Sequence, residues 1–261
     1  MKKELVSIIM PCFNSREYIR HSIESVINQS YGNWELIICD DGSSDSSIDL
    51  INSYTFKYQN IILIKNKYKK GAAGARNSCL DEARGRYIAF LDSDDYWSSS
   101  KLEKQINFMK DNKYALVFSY VNIIQEDGSY LYSLKAPKKV GSCLMTIGNF
   151  IPCCSAIYDS SRIQKVYQPD IKKRNDYALW LEILNKKEIN FAYCYPEILA
   201  TYRYNSYGLA SNKIDNIKYY YLCRIKYAKS NHLKAIIELT LYIFFTLIKK
   251  KFVKLHNYIF S

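Results

Sequence analysis

At 261 residues, with 48% hydrophobic and 24% charged residues, the chain can bury a full α/β core, and this balance excludes a disordered polypeptide. A net charge of +12 points to an anionic partner: nucleic acid, an acidic membrane surface or a phosphorylated substrate. The eight cysteines form no C-x-x-C pair and several lie in apolar runs, which disfavours a zinc site and suits a reducing, cytoplasmic location.

In chain order, Leu5 to Met10 reads as a first strand. The apolar stretch stops at Pro11 without a small-residue cleavage site, so it is read as a strand and not a signal peptide. Arg16 to Gln29 has helical spacing, with Tyr18, Ile19, Ile23, Val26 and Ile27 on one side. Trp34 to Cys39 is the second strand, followed by a helix over Ser47 to Tyr54 and a third strand over Ile61 to Lys65. A helix over Ala72 to Arg84 leads into a short apolar strand, Tyr87 to Leu91, and Lys101 to Asp111 forms the next helix. Strands alternating with helices predict parallel pairing with right-handed crossovers. The pattern then changes: Tyr114 to Ile124 and Tyr130 to Leu134 predict an antiparallel return around Glu126-Asp127-Gly128. A helix near Tyr177 to Leu184, two strand-like runs (Phe191 to Tyr195 and Leu199 to Tyr204) and a helical tail from Asn216 complete the reading.

Three loops after strand candidates carry polar or acidic residues: Asn14, Asp40 with Asp41, and Asp92 with Asp94 and Asp95. Parallel strands bring such loops to one edge of the sheet, where ligands of open α/β folds bind. Asp92-Ser93-Asp94-Asp95 can be read as a turn capping the following helix. It can equally hold a hard divalent cation, Mg²⁺ or Mn²⁺, which keeps part of its shell for substrate phosphates. No G-x-G-x-x-G follows the first strand and no G-x-x-x-x-G-K-[ST] occurs, so a dinucleotide fold and a P-loop NTPase are disfavoured.

Four segments in order, Val6 to Asn14, Asp40 to Asp45, Gly71 to Asn77 and Tyr87 to Asp95, closely resemble family 2 glycosyltransferases of the GT-A fold. The resemblance is strong over residues 5–110 and weaker to about residue 212. It implies a mixed, mainly parallel sheet flanked by helices, with a nucleotide-sugar half (1–112), an acceptor half (113–212) and a C-terminal helical appendage (213–261). By the same resemblance, Pro11, Phe13, Asn14 and Asp41 line a uridine pocket and Arg76 approaches the nucleotide. Asp92, Ser93 and Asp94 form the D-x-D motif, with Asp94 the better candidate for metal contact. Arg203, with the loop that follows to Asn212, would close on the donor diphosphate, although an arginine after a strand is often only a surface charge. Asp176 would be the base, with Asn175 standing where the family commonly has glutamate; its other reading is a carboxylate on a helix N-terminus. Trp180 and Glu182 would touch the acceptor, though Trp180 also fits a core position.

The implied activity is metal-dependent inverting transfer from a UDP-sugar. The donor would be UDP-glucose, UDP-galactose or a UDP-N-acetylhexosamine. The acceptor expected is a sugar on a polyprenyl diphosphate at the inner face of a bacterial membrane, as in O-antigen or capsule assembly, with a soluble or protein acceptor left open. Ala235 to Ile248 is apolar apart from Glu238 and two threonines, and Lys249 to Lys251 follow. That run is shorter than the ~20 residues a spanning helix needs. It suits a peripheral helix in a membrane interface, or packing on the catalytic domain or on a second copy of the chain in a homodimer. A phosphatase would place its aspartates after the first strand, where this chain has Pro11-Cys12-Phe13. A nucleic-acid-binding module would explain the charge but not the ordered acidic loops.

Overall fold

The structure, a computed structural model, describes residues 3–186, 188–204 and 213–259. Its centre is one sheet, in which β1 (Val6–Cys12), β2 (Trp34–Asp40), β3 (Ile61–Lys65) and β4 (Tyr87–Phe90) run parallel in the order β3-β2-β1-β4. The sheet continues through β9 (Ile157–Asp159), β6 (Leu116–Ile124), β10 (Ala192–Arg203) and β5 (Tyr96–Trp97). β9 is antiparallel to both β4 and β6, whereas β10 is parallel to β6. β7 (Tyr130–Leu134) and β8 (Lys139–Val140) pair off that path with β6 and β10. This is the GT-A arrangement that the four motifs imply.

Alternate residues of the central strands feed two apolar layers, as the period of two requires. Ile9, Ile37, Ile88 and Phe90 pack with α3 (Ala72–Glu82), α6 (Asn175–Leu184) and α7 (Lys213–Lys226). Ile8, Met10, Leu36, Ile38 and Ala89 pack with α1 (Ile19–Ile27), α2 (Ser47–Lys57) and α4 (Lys101–Asn112). Lys101, at the start of α4, is fully buried with its ammonium 4.1 Å from the centre of the Trp97 ring, and burial lowers its pKa to about 7.

Three expectations change in detail. β1 runs through Pro11, two residues past the expected end. Ile9 C=O faces β4 and accepts from Leu91 N–H, so the absent N–H of Pro11 would face the same side, beyond the last β4 pair at Phe90. The two strand-like runs near 191 and 204 are one strand, β10. Its register shifts between Tyr195 and Ile198, and Pro196 lies between the stretches paired with β8 and β5. β9, only three residues long, falls at the end of Ile151 to Tyr158, a segment that resembles the family's strand beside the acceptor site.

The tail forms α8 (His232–Ile259), and its first half packs on the catalytic domain. Glu238, 5% exposed, accepts from Arg224 Nε at 2.7 Å and Nη2 at 2.6 Å, and from the Ser230 hydroxyl at 2.9 Å. Tyr242 stacks on the buried Tyr220 at 4.4 Å. The same helix leaves Leu233, Ile236, Ile237, Leu241, Phe244 and Leu247 exposed. Among the described residues no helix is long and apolar enough to cross a membrane. The side chains of Lys249 to Lys251 and of the residues after them lie outside the description.

Candidate active site

The carboxyl ends of β1, β2 and β4 meet at one edge. At the end of β2, Asp40 closes a tight turn by accepting from the N–H groups of Gly42 and Ser43, each at 3.1 Å. Asp41, 9% exposed, accepts from Asn66 Nδ2 at 2.6 Å and from Gly71 N–H at 2.8 Å. Gly71 is needed there: at φ 129° its backbone suits no L side chain, and it delivers that N–H at the start of α3. Gly74 is needed because a Cβ would lie 2.0 Å from the Lys69 carbonyl. The Gly71 to Asn77 motif therefore has a physical content, which is to bring α3 close to the Asp41 loop and to aim Arg76.

Asn14 has φ 48° and accepts from Ser44 N–H at 2.8 Å, joining the β1 and β2 loops. Beside it Phe13 is 48% exposed, with the Lys70 ammonium 4.7 Å from its ring centre. An open aromatic ring between two backbone turns is a suitable platform for a base. Pro11 is buried at the floor of this edge.

After β4, Asp92 pairs with Arg76, which is itself 5% exposed and donates through Nη1 to Gln168 Oε1 at 3.3 Å. Burial works against the Arg76 charge, but Asp92 more than offsets it, so the guanidinium pKa lies above the usual value. Arg76 thus holds the first aspartate of the motif. Asp94 has no hydrogen-bonding side-chain partner among the described residues. Burial, then the neighbouring Asp92, pushes its carboxyl up to about 6. Asp95 is buried deeper and is a scaffold group: its Oδ1 accepts from Arg203 N–H at 2.9 Å, and burial raises its pKa further.

Asp176 stands in the first turn of α6 and accepts from Asn149 Nδ2 at 2.8 Å. Burial raises its pKa, partly offset by the Tyr177 N–H, Arg76 and Arg174, while Asp92 adds to the rise. Arg76 in turn feels the charges of both Asp92 and Asp176, so the three side chains lie within electrostatic reach of one another. The half-exposed Cys153 faces the same group, and burial keeps its thiol protonated.

Several expected ligands have other work. Ser93 is 7% exposed; its hydroxyl meets that of Ser15 at 2.6 Å and its carbonyl accepts from Ser22 at 2.9 Å, so it anchors the loop. Arg203 is 9% exposed and donates to the carbonyls of Asp94, Gln125 and Glu126 at 3.2, 3.2 and 2.8 Å, with its guanidinium 4.4 Å from the Tyr18 ring centre. It ties the metal-type loop to the β6–β7 turn and is not a free phosphate partner; the expected closing loop, 205–212, lies outside the described residues. Trp180 is fully buried, edge-on to Phe90 at 5.8 Å, and donates to the Ile151 carbonyl at 3.0 Å, which makes it a core residue with no surface for an acceptor. Glu182 is exposed, and the charges acting on it are Lys186 and Lys229, away from the aspartates. Asn66, Asn149, Cys153 and Gln168 were not singled out in sequence; each is an ordinary residue type, legible only through its partner.

Among the described residues no three His, Cys, Asp or Glu side chains form a complete metal site. The donor set still fits a divalent cation. Asp94, desolvated beside Asp92, has no ion-pair partner among the described residues, and hard cations in phosphate-binding sites take one or two carboxylates and complete their shell with substrate oxygens and water.

A mixed sheet between two apolar layers, with a nucleotide-type edge, paired aspartates and a separate, partly buried carboxylate, is the architecture of GT-A glycosyltransferases. Residues 7–167 match the family described as glycosyl transferase family 2. A UDP-Glc:alpha-D-GlcNAc-diphosphoundecaprenol beta-1,3-glucosyltransferase of Escherichia coli, WfaP, is 46% identical over 184 residues, covering 70% of this chain and 71% of that protein. A second enzyme of the same description, WfgD, is 39% identical, covering 84% of each chain. The putative teichuronic acid biosynthesis glycosyltransferase TuaG of Bacillus subtilis is 38% identical, covering 81% of this chain and 83% of that protein. The chain belongs to glycosyl transferase family 2. The fold is shared with S. aureus TarS 1–349 in complex with UDP-GlcNAc, at a TM-score of 0.69 and 17% identity over 92% of this chain and 72% of that one. It is also shared with the mannosyltransferase PcManGT of Pyrobaculum calidifontis in complex with GDP-Man and Mn2+, at 0.67 and 15% over 92% and 70%.

Proposed function

We propose that this glycosyltransferase moves glucose, or a closely similar hexose, from a UDP-sugar to a sugar carried on a polyprenyl diphosphate, with inversion at the anomeric carbon. The observation that carries this reading is the Arg76–Asp92 ion pair, with Asp94 and Asp176 in electrostatic reach of it, at the sheet edge that also presents the exposed Phe13 and the Asp41 loop. The printed activities of the two Escherichia coli relatives support both the donor and the lipid-linked acceptor. Assembly of a surface polysaccharide is the matching role.

The chemistry follows from where each group stands. Phe13 and the Asp41 loop seat the uracil and ribose. Asp94 and Asp92 would hold Mn²⁺ or Mg²⁺, which when bound supplies Lewis-acid stabilisation of the departing diphosphate. Asp176 accepts the proton of the acceptor hydroxyl as that oxygen attacks the sugar from the face opposite UDP. Its burial favours the neutral form, which matches a group that must gain a proton during the step, and a positioned base contributes roughly 10²–10⁴-fold. Asn149 fixes one of its oxygens, leaving the other for the acceptor. A helix with an exposed apolar face and a net charge of +12 would keep the enzyme peripheral on an anionic membrane, where such an acceptor resides. Asp94→Ala and Asp176→Asn test the division of roles. The first variant should lose metal-supported UDP affinity, and the second should bind UDP normally while losing transfer. Full transfer by Asp176→Asn would refute the base.

A further inference from the structure

We propose that Arg174 is a positioning residue through which α7 and α8 set the placement of Asp176, so that the helix expected to meet the membrane also braces the base. The proposal rests on the reading of Asp176 as the base. Arg174 directly precedes α6 and takes the left-handed conformation, φ 62° and ψ 31°. A non-glycine residue persists there where its surroundings over-determine it. Here the surroundings are the two C-terminal helices. Arg174 Nη2 donates to the Tyr242 hydroxyl at 2.6 Å, and Nε donates to the Asn216 carbonyl at 3.2 Å. The guanidinium also lies 5.0 Å from the ring centre of Tyr242 and 5.8 Å from that of Tyr220, and those two rings stack on each other.

The other end of Arg174 belongs to α6. Its carbonyl accepts from Ala178 N–H at 2.9 Å, the bond that opens the helix two residues before the Asp176 carboxylate turns into the site. α6 and α7 together hold the second anchor of that carboxylate. Tyr177 donates to the Met145 carbonyl and Tyr220 to the Thr146 carbonyl, each at 2.6 Å, which fixes the turn that leads to Asn149. α8 is latched by the buried pair of Glu238 and Arg224 while its outer side stays exposed and apolar. A shift of α8 on a surface therefore reaches Asp176 through a continuous chain, from Tyr242 to Arg174 to the first turn of α6.

Tyr242→Phe tests this with least disturbance, since the ring stays in the stack and only the hydroxyl is removed. Arg174→Lys keeps the charge but loses the planar fork. Both variants should lower kcat for transfer to a diphosphoundecaprenol-linked N-acetylglucosamine by about ten-fold, the scale expected when a catalytic group is slightly misplaced. KM for UDP-glucose and UDP affinity by calorimetry should stay unchanged. The double variant should be no worse than the more impaired single one, because the two act through one bond. Wild-type kcat in Tyr242→Phe, additive losses in the double variant, or a parallel loss of UDP affinity would each overturn the proposal; if Arg174→Lys fails to fold, Tyr242→Phe decides alone. Asp176→Asn separates the two levels: if it transfers normally the base reading fails, and if it is inactive while Tyr242→Phe is fully active only the coupling fails.

Discussion

Asp176 and Asp94 are carboxyls that burial makes reluctant to ionise, and this has a consequence for pH. A base works only when deprotonated, so a raised pKa removes the working form at a higher pH as the solution is acidified. The acid limb of the kcat profile, taken at saturating metal and UDP-sugar, should have its midpoint above the roughly 3.9 of a free aspartate. A limb at or below that value would mean that the titrating base is not the buried Asp176. Which residues could be assigned in advance follows from the kind of evidence each offers. Asp92, Asp94 and Asp176 could be proposed from sequence because residue type within a motif carries their chemistry, and their roles rest on the variants proposed above. For Arg203, Ser93 and Trp180 the sequence gives the donor but not the acceptor it meets in the fold. Their partners are the Glu126 carbonyl, the Ser15 hydroxyl and the Ile151 carbonyl, all distant in the chain.

The alternation of strands and helices over the first hundred residues was legible at the level of elements because β1, β2 and β4 are buried on both faces and read as unbroken apolar runs. β5, with two residues, was not, since no periodicity can be read over so few positions, and β9, with three, was marked only by the family resemblance of Ile151 to Tyr158. The tail was half legible. Its apolar run is real, but Glu238, an apparent interruption, is the buried latch to Arg224. Deleting residues 235–261 would therefore remove the partner of Arg224 and uncover the face on which Leu239 and Tyr242 pack, so a truncated chain tests stability along with membrane binding. A cleaner test of the outer face replaces Leu233, Ile237 and Phe244 together with glutamine, leaving the inner face intact. The triple variant should keep its fold and metal-supported UDP binding but no longer sediment with vesicles containing anionic lipid. Undiminished sedimentation would show that this face does not carry membrane binding.

At the scale of the whole molecule, one continuous sheet carries both halves proposed for the reaction. Its parallel half ends in the nucleotide edge, and β9, β6 and β10 extend it towards the side on which Asp176 stands. The Arg203 contacts with Asp94, Asp95 and the β6–β7 turn join the two halves at the acidic loop. Division of labour across a shared sheet suits a transferase, which must exclude water while bringing two substrates together. The central claim is transfer from a UDP-sugar to a lipid-linked sugar, and its most direct test is one assay. Purified enzyme with Mn²⁺ is offered a panel of UDP-sugars, with α-linked N-acetylglucosamine on undecaprenyl diphosphate as acceptor, and the product is read by mass spectrometry and by its anomeric coupling in NMR. The account predicts a single added hexose in β linkage, best supported by UDP-glucose, lost on chelation of the metal and absent with Asp176→Asn. Transfer to none of the panel, or an α-linked product, would contradict it.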